Sequence, residues 1–465
     1  MILNEIFNFI YNFKYENAKQ KTIQIAKIAF IDFFGVTRRG FREDSSQIAF
    51  NTISELFSHN QDSNLKSSVI GFNNYKINPL NAGFVNGISA HNLELDDGHK
   101  KAQMHLGSII FPTALAISEA YDLSGKDFLE SVIVGYDVGI FLGSIVNPQH
   151  RNNGFHTTGT IGTFVSGVVA SKLLNFNLDD IKNTFGLCGT QSAGLLESGH
   201  SGSMGKSLHV GKAIYNGLLS AFLTKNGFTG SKSIFTGKDG FLNSHVFKPN
   251  SLNKQSIFEN IGNISLNDIY FKKYPFCRHL HSSIDTILKL RINICEKHDA
   301  IDKLFINTYN IAAEHNNYSP NNKEDLKQSL PYAVAMNLVC GEVDIDIIDK
   351  LIDDGLFDEN STNNEVNEIK ELVSKIVISA DENLNAMFPN KRPSNIVIKL
   401  DESFRGGIFQ NTTMIPKGDI ENPLQPDEII DKFINLNPHY DLSNLSVMNN
   451  LENYNVNNLM NILNK

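Results

Sequence analysis

Apolar residues recur at helical spacing through most of the first half of this chain and leave little polar face to set against water. Between Glu16 and Val36, Ile23, Ile25, Ala26, Ile28, Ala29, Ile31, Phe33 and Phe34 form a nearly all-round apolar run that ends at Arg38-Arg39-Gly40. A helix apolar on all sides must be enclosed by others. The same spacing runs from Ser108 to Tyr121 and from Lys126 to Val146, with Ser124-Gly125 between them, and predicts two antiparallel neighbours. In HRNNGFHTTGTIGTFVSGVVASKLL, small residues (Gly159, Gly162, Ser166, Gly167, Ala170, Ser171) run through a further predicted helix. Each helical glycine costs about 1 kcal/mol, so their number points to close approach of a neighbouring backbone. The constraint is a buried helical bundle.

At 465 residues the chain is long enough for two or three domains. Its character changes near residue 262. NISLNDIYFKKYPFC, IDKLFINTYNIAA and SNIVIKLDE have strand-like composition, and SSIDTILKLRINIC and LPYAVAMNLVC read as helices between them. The expectation is a helical domain over 1–262 and 405–465 and an α+β domain over 263–404, with STNNEVN (361–367) as its most linker-like segment. Residues 57–79 predict a loop with one small strand, and 425–463 two terminal helices.

Lys and Arg number 41 against 50 Asp and Glu, a net charge of −9 without a dense basic run, which argues against nucleic acid as a partner. No stretch reaches the ~18 uninterrupted apolar residues of a membrane span, and the N-terminus, MILNEIFNFIYNFKYENAKQ, reads as a first helix rather than a leader. The four cysteines (Cys188, Cys277, Cys295, Cys340) form no C-x-x-C pair, which argues against a zinc knuckle, redox motif or cysteine-ligated cluster and fits a reducing cytoplasm.

The chemistry concentrates in HNLELDDGHKKAQMHLGSIIFP, residues 91–112, where His91, Glu94, Asp96, Asp97, His99 and His105 lie between two buried segments. Such crowding is costly unless the groups pair, bind a ligand or move protons. A solvated loop built on the Asp97-Gly98 turn is the bland alternative. His156 precedes the small-residue helix, at an N-terminus that favours anions. Lys206 sits in a Gly/Ser-rich helix entry, with His209 and Lys212 at i+3 and i+6; alone, it reads better as a surface lysine. GFTGS and GKDG are too short and wrongly spaced for a phosphate-binding loop.

Taken together, NGISAHNLELDDGHKKAQMHLGSIIFPTALAISEA, GFHTTGTIGTFVSGVVASKLL, GTQSAGLLE with GKSLHVGKA and GFTGS, and YPFCRHLHSSID resemble the MmgE/PrpD family over about residues 20 to 400. The resemblance implies a mainly α chain: a large all-helical domain built from both chain ends, a smaller α+β lid domain, a homodimer, and an interdomain site without metal or organic cofactor. It places catalytic roles on Asp97, His105, His156, Lys206 and His281. Substrate binding falls on Glu94, Asp96, His99, Arg278 and His279. Glu94 stands where the family commonly has Asp, Leu106 where it often has Pro, and the Asp97–His105 spacing is slightly longer than in the decarboxylases.

Eliminating water or carbon dioxide from a polycarboxylate needs cations for the carboxylates, which Lys206 and Arg278 supply, and a base of near-neutral pKa, which histidine supplies. The leading expectation is a lyase on a small di- or tricarboxylic acid, of the 2-methylcitrate dehydratase type. Runners-up are an epimerase of an amino- or imino-dicarboxylate and a cis-aconitate decarboxylase-like enzyme. From other classes come a metal hydrolase using His91, Asp96 and His99, and a non-catalytic binding protein. The lyase reading further expects His105, His156 and His281 to converge on one cleft.

Overall fold

The computed structural model describes residues 2–57, 64–72, 75–246, 266–294, 298–402 and 407–465. The chain is mainly helical, and its buried apolar residues divide between two clusters. The larger unites Ile6, Phe30, Phe111, Phe128 and Phe164 with Phe433, Leu451 and Leu459, so both chain ends share one core. At its centre the Thr157–Leu173 helix packs against Gly107–Ala120, Gly125–Val146, Leu178–Gln191 and Gly205–Lys225. The small residues do what their number implied. A methyl added at Gly159 would sit 2.9 Å from the Ala193 carbonyl oxygen, and one at Gly162 would sit 3.0 Å from Ile109 Cδ1. Gly125–Val146 is long and apolar enough to cross a membrane, but 83% of its most apolar window is buried in this core.

The second cluster is built on a four-stranded mixed sheet with spatial order Ile376–Ala380, Ile301–Thr308, Ser394–Leu400, Ile408–Thr413. The first pair is parallel and the other two are antiparallel. Phe276 from the loop before Arg278, and Ile284, Val334, Met336 and Ile369 from neighbouring helices, pack with Leu304, Ile306 and Ile396 from the strands. Leu93 and Leu95 join the same cluster although they belong to the 91–112 stretch. Alternation along that stretch therefore anchors two leucines in the α+β unit and leaves Glu94 between them.

Four local expectations change. Residues 266–277 do not form a strand. Residues 262–265 lie outside the described set, Leu266–Asp268 is a 3₁₀ turn, and Tyr270 forms one bridge with Gly98 because its partner is the site loop. The sheet continues past 404 to Thr413, since Ile408–Thr413 pairs with Ser394–Leu400. The linker-like STNNEVN enters a helix, Asn364–Lys375, whose first turn is capped by Asn363 accepting from Val366 N. The terminal region has its two helices, Pro426–Leu436 and Val456–Leu463, with a kinked 3₁₀ run, Leu442–Asn453, between them.

Candidate active site

Residues 92–106 connect the Pro79–His91 helix to the Gly107–Ala120 helix and are almost wholly buried. Glu94 adopts φ 56°, a left-handed conformation that costs a non-glycine residue on the order of 1 kcal/mol or more. Its carboxylate explains why it is held there. Oε2 accepts from Lys272 Nζ at 2.7 Å, while Oε1 pairs with Lys206 and accepts from Gln328 Nε2 at 3.2 Å. Burial pushes Glu94 up, but the two lysines together outweigh it and hold the carboxyl well below its ordinary value. Lys206 is correspondingly raised: burial pulls it down and Glu94 more than restores it.

Asp96 and Asp97 stand behind this pair. Asp96 Oδ2 lies 2.6 Å from His91 Nδ1 and Oδ1 lies 3.3 Å from His105 Nδ1. Asp97 Oδ1 accepts from Gly107 N at 2.8 Å and Oδ2 from the Tyr136 hydroxyl at 2.5 Å, so it caps the following helix. Burial pushes Asp97 up to about 6, against the lowering effect of those two hydrogen bonds. The Asp97 carbonyl accepts from His105 Nδ1 at 2.7 Å. That contact makes Nδ1 a donor and leaves Nε2 as the ring nitrogen not committed to it.

His156 occupies the N-cap position of the Thr157–Leu173 helix, with Nδ1 3.0 Å from His209 Nδ1. Burial first, and then neighbouring His91, His209 and Lys206, hold His156 well below its ordinary value; burial brings His209 down to about 4. Both rings are neutral near pH 7, which is the protonation state a general base needs.

The opposite wall comes from the α+β unit. Arg278 Nη2 donates to Asp419 Oδ1 at 2.7 Å and Nη1 to the Lys417 carbonyl at 2.9 Å, and the guanidinium lies 4.7 Å from the Tyr270 ring centre. His279 Nδ1 is 2.7 Å from the Tyr309 hydroxyl. Arg392 also stacks over Tyr270, at 5.2 Å. Its Nε and Nη1 find no hydrogen-bond partner among the described residues although the residue is only 3% exposed.

Between the walls lies a cleft of about 340 Å³. Of the residues the sequence singled out, Glu94, His105, His156, Lys206, Arg278 and His279 line it. Asp96 and Asp97 support it from behind. His99 and His281 do not line it. His99 Nδ1 accepts from Ala102 N at 3.1 Å within its own turn. His281 is fully buried, with Nδ1 2.9 Å from Arg278 Nη1 and Nε2 donating to the Phe276 carbonyl at 3.1 Å. The expected convergence of His105, His156 and His281 is therefore corrected: His279 reaches the cleft instead. The two belong to consecutive helical turns, 3₁₀ over Arg278–Leu280 and α over His281–Ile294, where residues two apart face different ways.

Sequence reasoning passed over Arg151, Cys277, His315, Gln328 and Arg392 as site residues, and all five line the cleft. It also missed Lys272, fully buried beneath Glu94. As possible metal ligands, His91, Asp96 and His105 present atoms within 4.8 Å of one another; His99 is not among them. Lys272 Nζ, 3.8 Å from Asp96 Oδ1, sets a positive charge against a cation there.

A helical body and an α+β unit that enclose histidines and cations define a two-part enzyme-like cleft, and the comparisons give its family. Residues 4–253 match the MmgE/PrpD N-terminal domain and residues 274–444 the MmgE/PrpD C-terminal domain; the chain belongs to the MmgE/PrpD family. It is similar to a cis-aconitate decarboxylase-like protein of Aspergillus oryzae, 28% identical over 250 residues, which are 51% of this chain and 51% of that protein. A cis-aconitate decarboxylase of Aspergillus terreus is 29% identical over 234 residues, 48% of this chain and 47% of its own. The chain thus spans about half the length of these two relatives. The Homo sapiens cis-aconitate decarboxylase is 23% identical over 438 residues, 91% of this chain and 85% of its own.

Proposed function

We propose that the chain is a lyase that removes carbon dioxide or water from a small di- or tricarboxylic acid by protein acid–base chemistry. The observation that carries this reading is the pairing across one cleft of two histidines, His105 and His156, with a buried guanidinium, Arg392, whose Nε and Nη1 have no hydrogen-bond partner among the described residues. In dehydration a base takes the proton beside a carboxylate and an acid protonates the departing hydroxyl. In decarboxylation the electrons of the broken C–C bond stay on the substrate, an acid protonates the carbon that receives them, and cations hold the remaining carboxylates. His105 and His156 supply the proton-transfer groups. Arg392, Arg278 and Lys206 receive the carboxylates, with Arg151 at the cleft edge.

Within this class the named relatives favour decarboxylation of cis-aconitate. Dehydration of 2-methylcitrate is the second reading, favoured by the longer Asp97–His105 spacing. One experiment separates the outcomes: NMR in D2O of cis-aconitate, 2-methylcitrate and citrate with EDTA-dialysed protein. The expected result is alkene product with loss of carbon dioxide or water and deuterium at a single carbon. Deuterium exchange without loss of mass would replace the lyase by an epimerase. No exchange and no product from any acid would remove the acid–base reading altogether.

A further inference from the structure

The proposed reaction leaves one nucleophile in the cleft without a task. Cys277 Sγ lies 3.6 Å from His315 Nε2, and His315 Nδ1 donates to the Gln328 carbonyl at 3.0 Å. The ring is thereby fixed with Nε2 toward sulfur. A nucleophile, a base and a third group that orients the base form the arrangement that activates a thiol. Burial pushes the Cys277 thiol up, but His315 and then Lys206 outweigh it and bring it to about 6, while Cys277 holds His315 above its ordinary value despite burial. By contrast, burial pushes Cys188 and Cys340 both up to about 12.

Arg392 is the second, independent feature. It lines the same cleft and lies close enough for the charges of Arg392 and Cys277 to interact. A guanidinium that is 3% exposed with unused Nε and Nη1 is costly unless an anion completes it. The cleft therefore offers a carboxylate seat in the same lining as the thiol.

We propose that Cys277 and His315 form a nucleophilic pair that adds covalently to small carboxylic acids whose double bond is conjugated with a carboxylate seated by Arg392. This ligand class rests on the lyase reading, whose product is such an alkene. In the step, a thiolate lone pair forms a bond from Sγ to one alkene carbon. The π pair moves to the carbon beside the carboxylate, and that carbon takes the proton from His315 Nε2. One S–C and one C–H bond replace the π bond, the imidazolium returns to neutral, and no oxidant is consumed. Accumulated product would thus occupy the cleft as a covalent adduct.

The test incubates the full chain with maleate and, separately, with its neutral diamide. Adduct formation is followed by intact mass and peptide mapping, and each rate is divided by that of glutathione with the same acceptor. The expected result is a single adduct at Cys277, with normalised rates at least about tenfold higher for maleate than for the diamide. Cys277→Ser should abolish the adduct, and Arg392→Gln should remove the preference for maleate while the diamide still reacts. An adduct mapped to another cysteine, or a maleate rate no higher after normalisation than the diamide rate, would overturn the pair. Labelling needs no turnover, so the two readings fail separately. Adduct without conversion of any acid removes the lyase alone, and conversion without adduct removes the pair alone.

Discussion

The two walls of the cleft hold their charges in opposite ways. On the helical side each carboxylate has a charged or hydrogen-bonding partner, although Asp96 Oδ1 makes no hydrogen bond among the described residues. Lys206 and Lys272 take Glu94, His91 and His105 take Asp96, and the Tyr136 hydroxyl and Gly107 N–H take Asp97. On the α+β side Arg278 is matched by Asp419, whereas Arg392 reaches the same Asp419 only at 3.8 Å and keeps Nε and Nη1 unused. A satisfied buried network is rigid and positions its members narrowly. An unsatisfied buried cation awaits an anion. Under the proposed function, the helical wall moves protons and lends one cation, Lys206, and the α+β wall receives carboxylates on Arg392 and Arg278.

The sharpest way to break that division is at the helical histidines. His105→Gln and His156→Gln should each lower kcat by about 10² or more with the melting temperature nearly unchanged, since each removes a proton-transfer group. Lys206→Ala should cost about 2 to 4 kcal/mol in kcat/KM, read from steady-state kinetics, because it strips Glu94 of one partner and the cleft of one cation. Near-normal kinetics in all three would move the chemistry to the other wall.

A second prediction concerns the carboxyl under His105. Asp97 is buried with a folded-state value of about 6 against an ordinary 3.8. The native state therefore holds this proton more tightly than the unfolded chain does. Its contribution to stability is full below about pH 4 and is lost as pH rises through about 6. Relative to Asp97→Asn, the wild type should lose on the order of 3 kcal/mol between those limits. Melting temperatures of both proteins across that range check it. Parallel curves would mean that the Tyr136 and Gly107 hydrogen bonds keep Asp97 ionised throughout.

These walls were unequally legible in the sequence, for a physical reason. The helical wall draws Glu94, Asp96, Asp97 and His105 from one short loop, and apolar periodicity marks the helices on both sides of it. Local sequence carries that information. The α+β wall is assembled by strand pairing. His315 follows the Ile301–Thr308 strand and Arg392 precedes Ser394–Leu400, and the antiparallel register Thr308↔Ser394 brings those ends together. Nothing within either segment specifies that register. Lys272 was missed for a related reason: it reads as part of a strand, yet it is the buried counter-charge of Glu94. The sheet's extension to Thr413 was hidden in the same way, since only the pairing with Ser394–Leu400 makes Ile408–Thr413 a strand.

The smallest expected effect tests the exchange of His281 for His279. His281 is 0% exposed and donates Nε2–H to the Phe276 carbonyl, so its Nδ1 is free to accept from Arg278 Nη1. Burial, followed by the charges of Arg278 and Lys272, holds it well below its ordinary value, which matches this neutral tautomer. It can neither reach a bound acid nor release a proton near pH 7, and its work is to hold Arg278. His281→Gln should therefore leave kcat within about threefold and lower stability by about 1 to 3 kcal/mol, the usual loss when a buried hydrogen-bonding group is left unmatched. His279→Gln, on the cleft surface, should lower kcat/KM by more than His281→Gln while costing less stability. Thermal melts and steady-state kinetics on the two variants decide the matter. If His281→Gln instead lowered kcat as far as His156→Gln does, the proton chemistry would run through Arg278 and its support, and the division between the walls would fail.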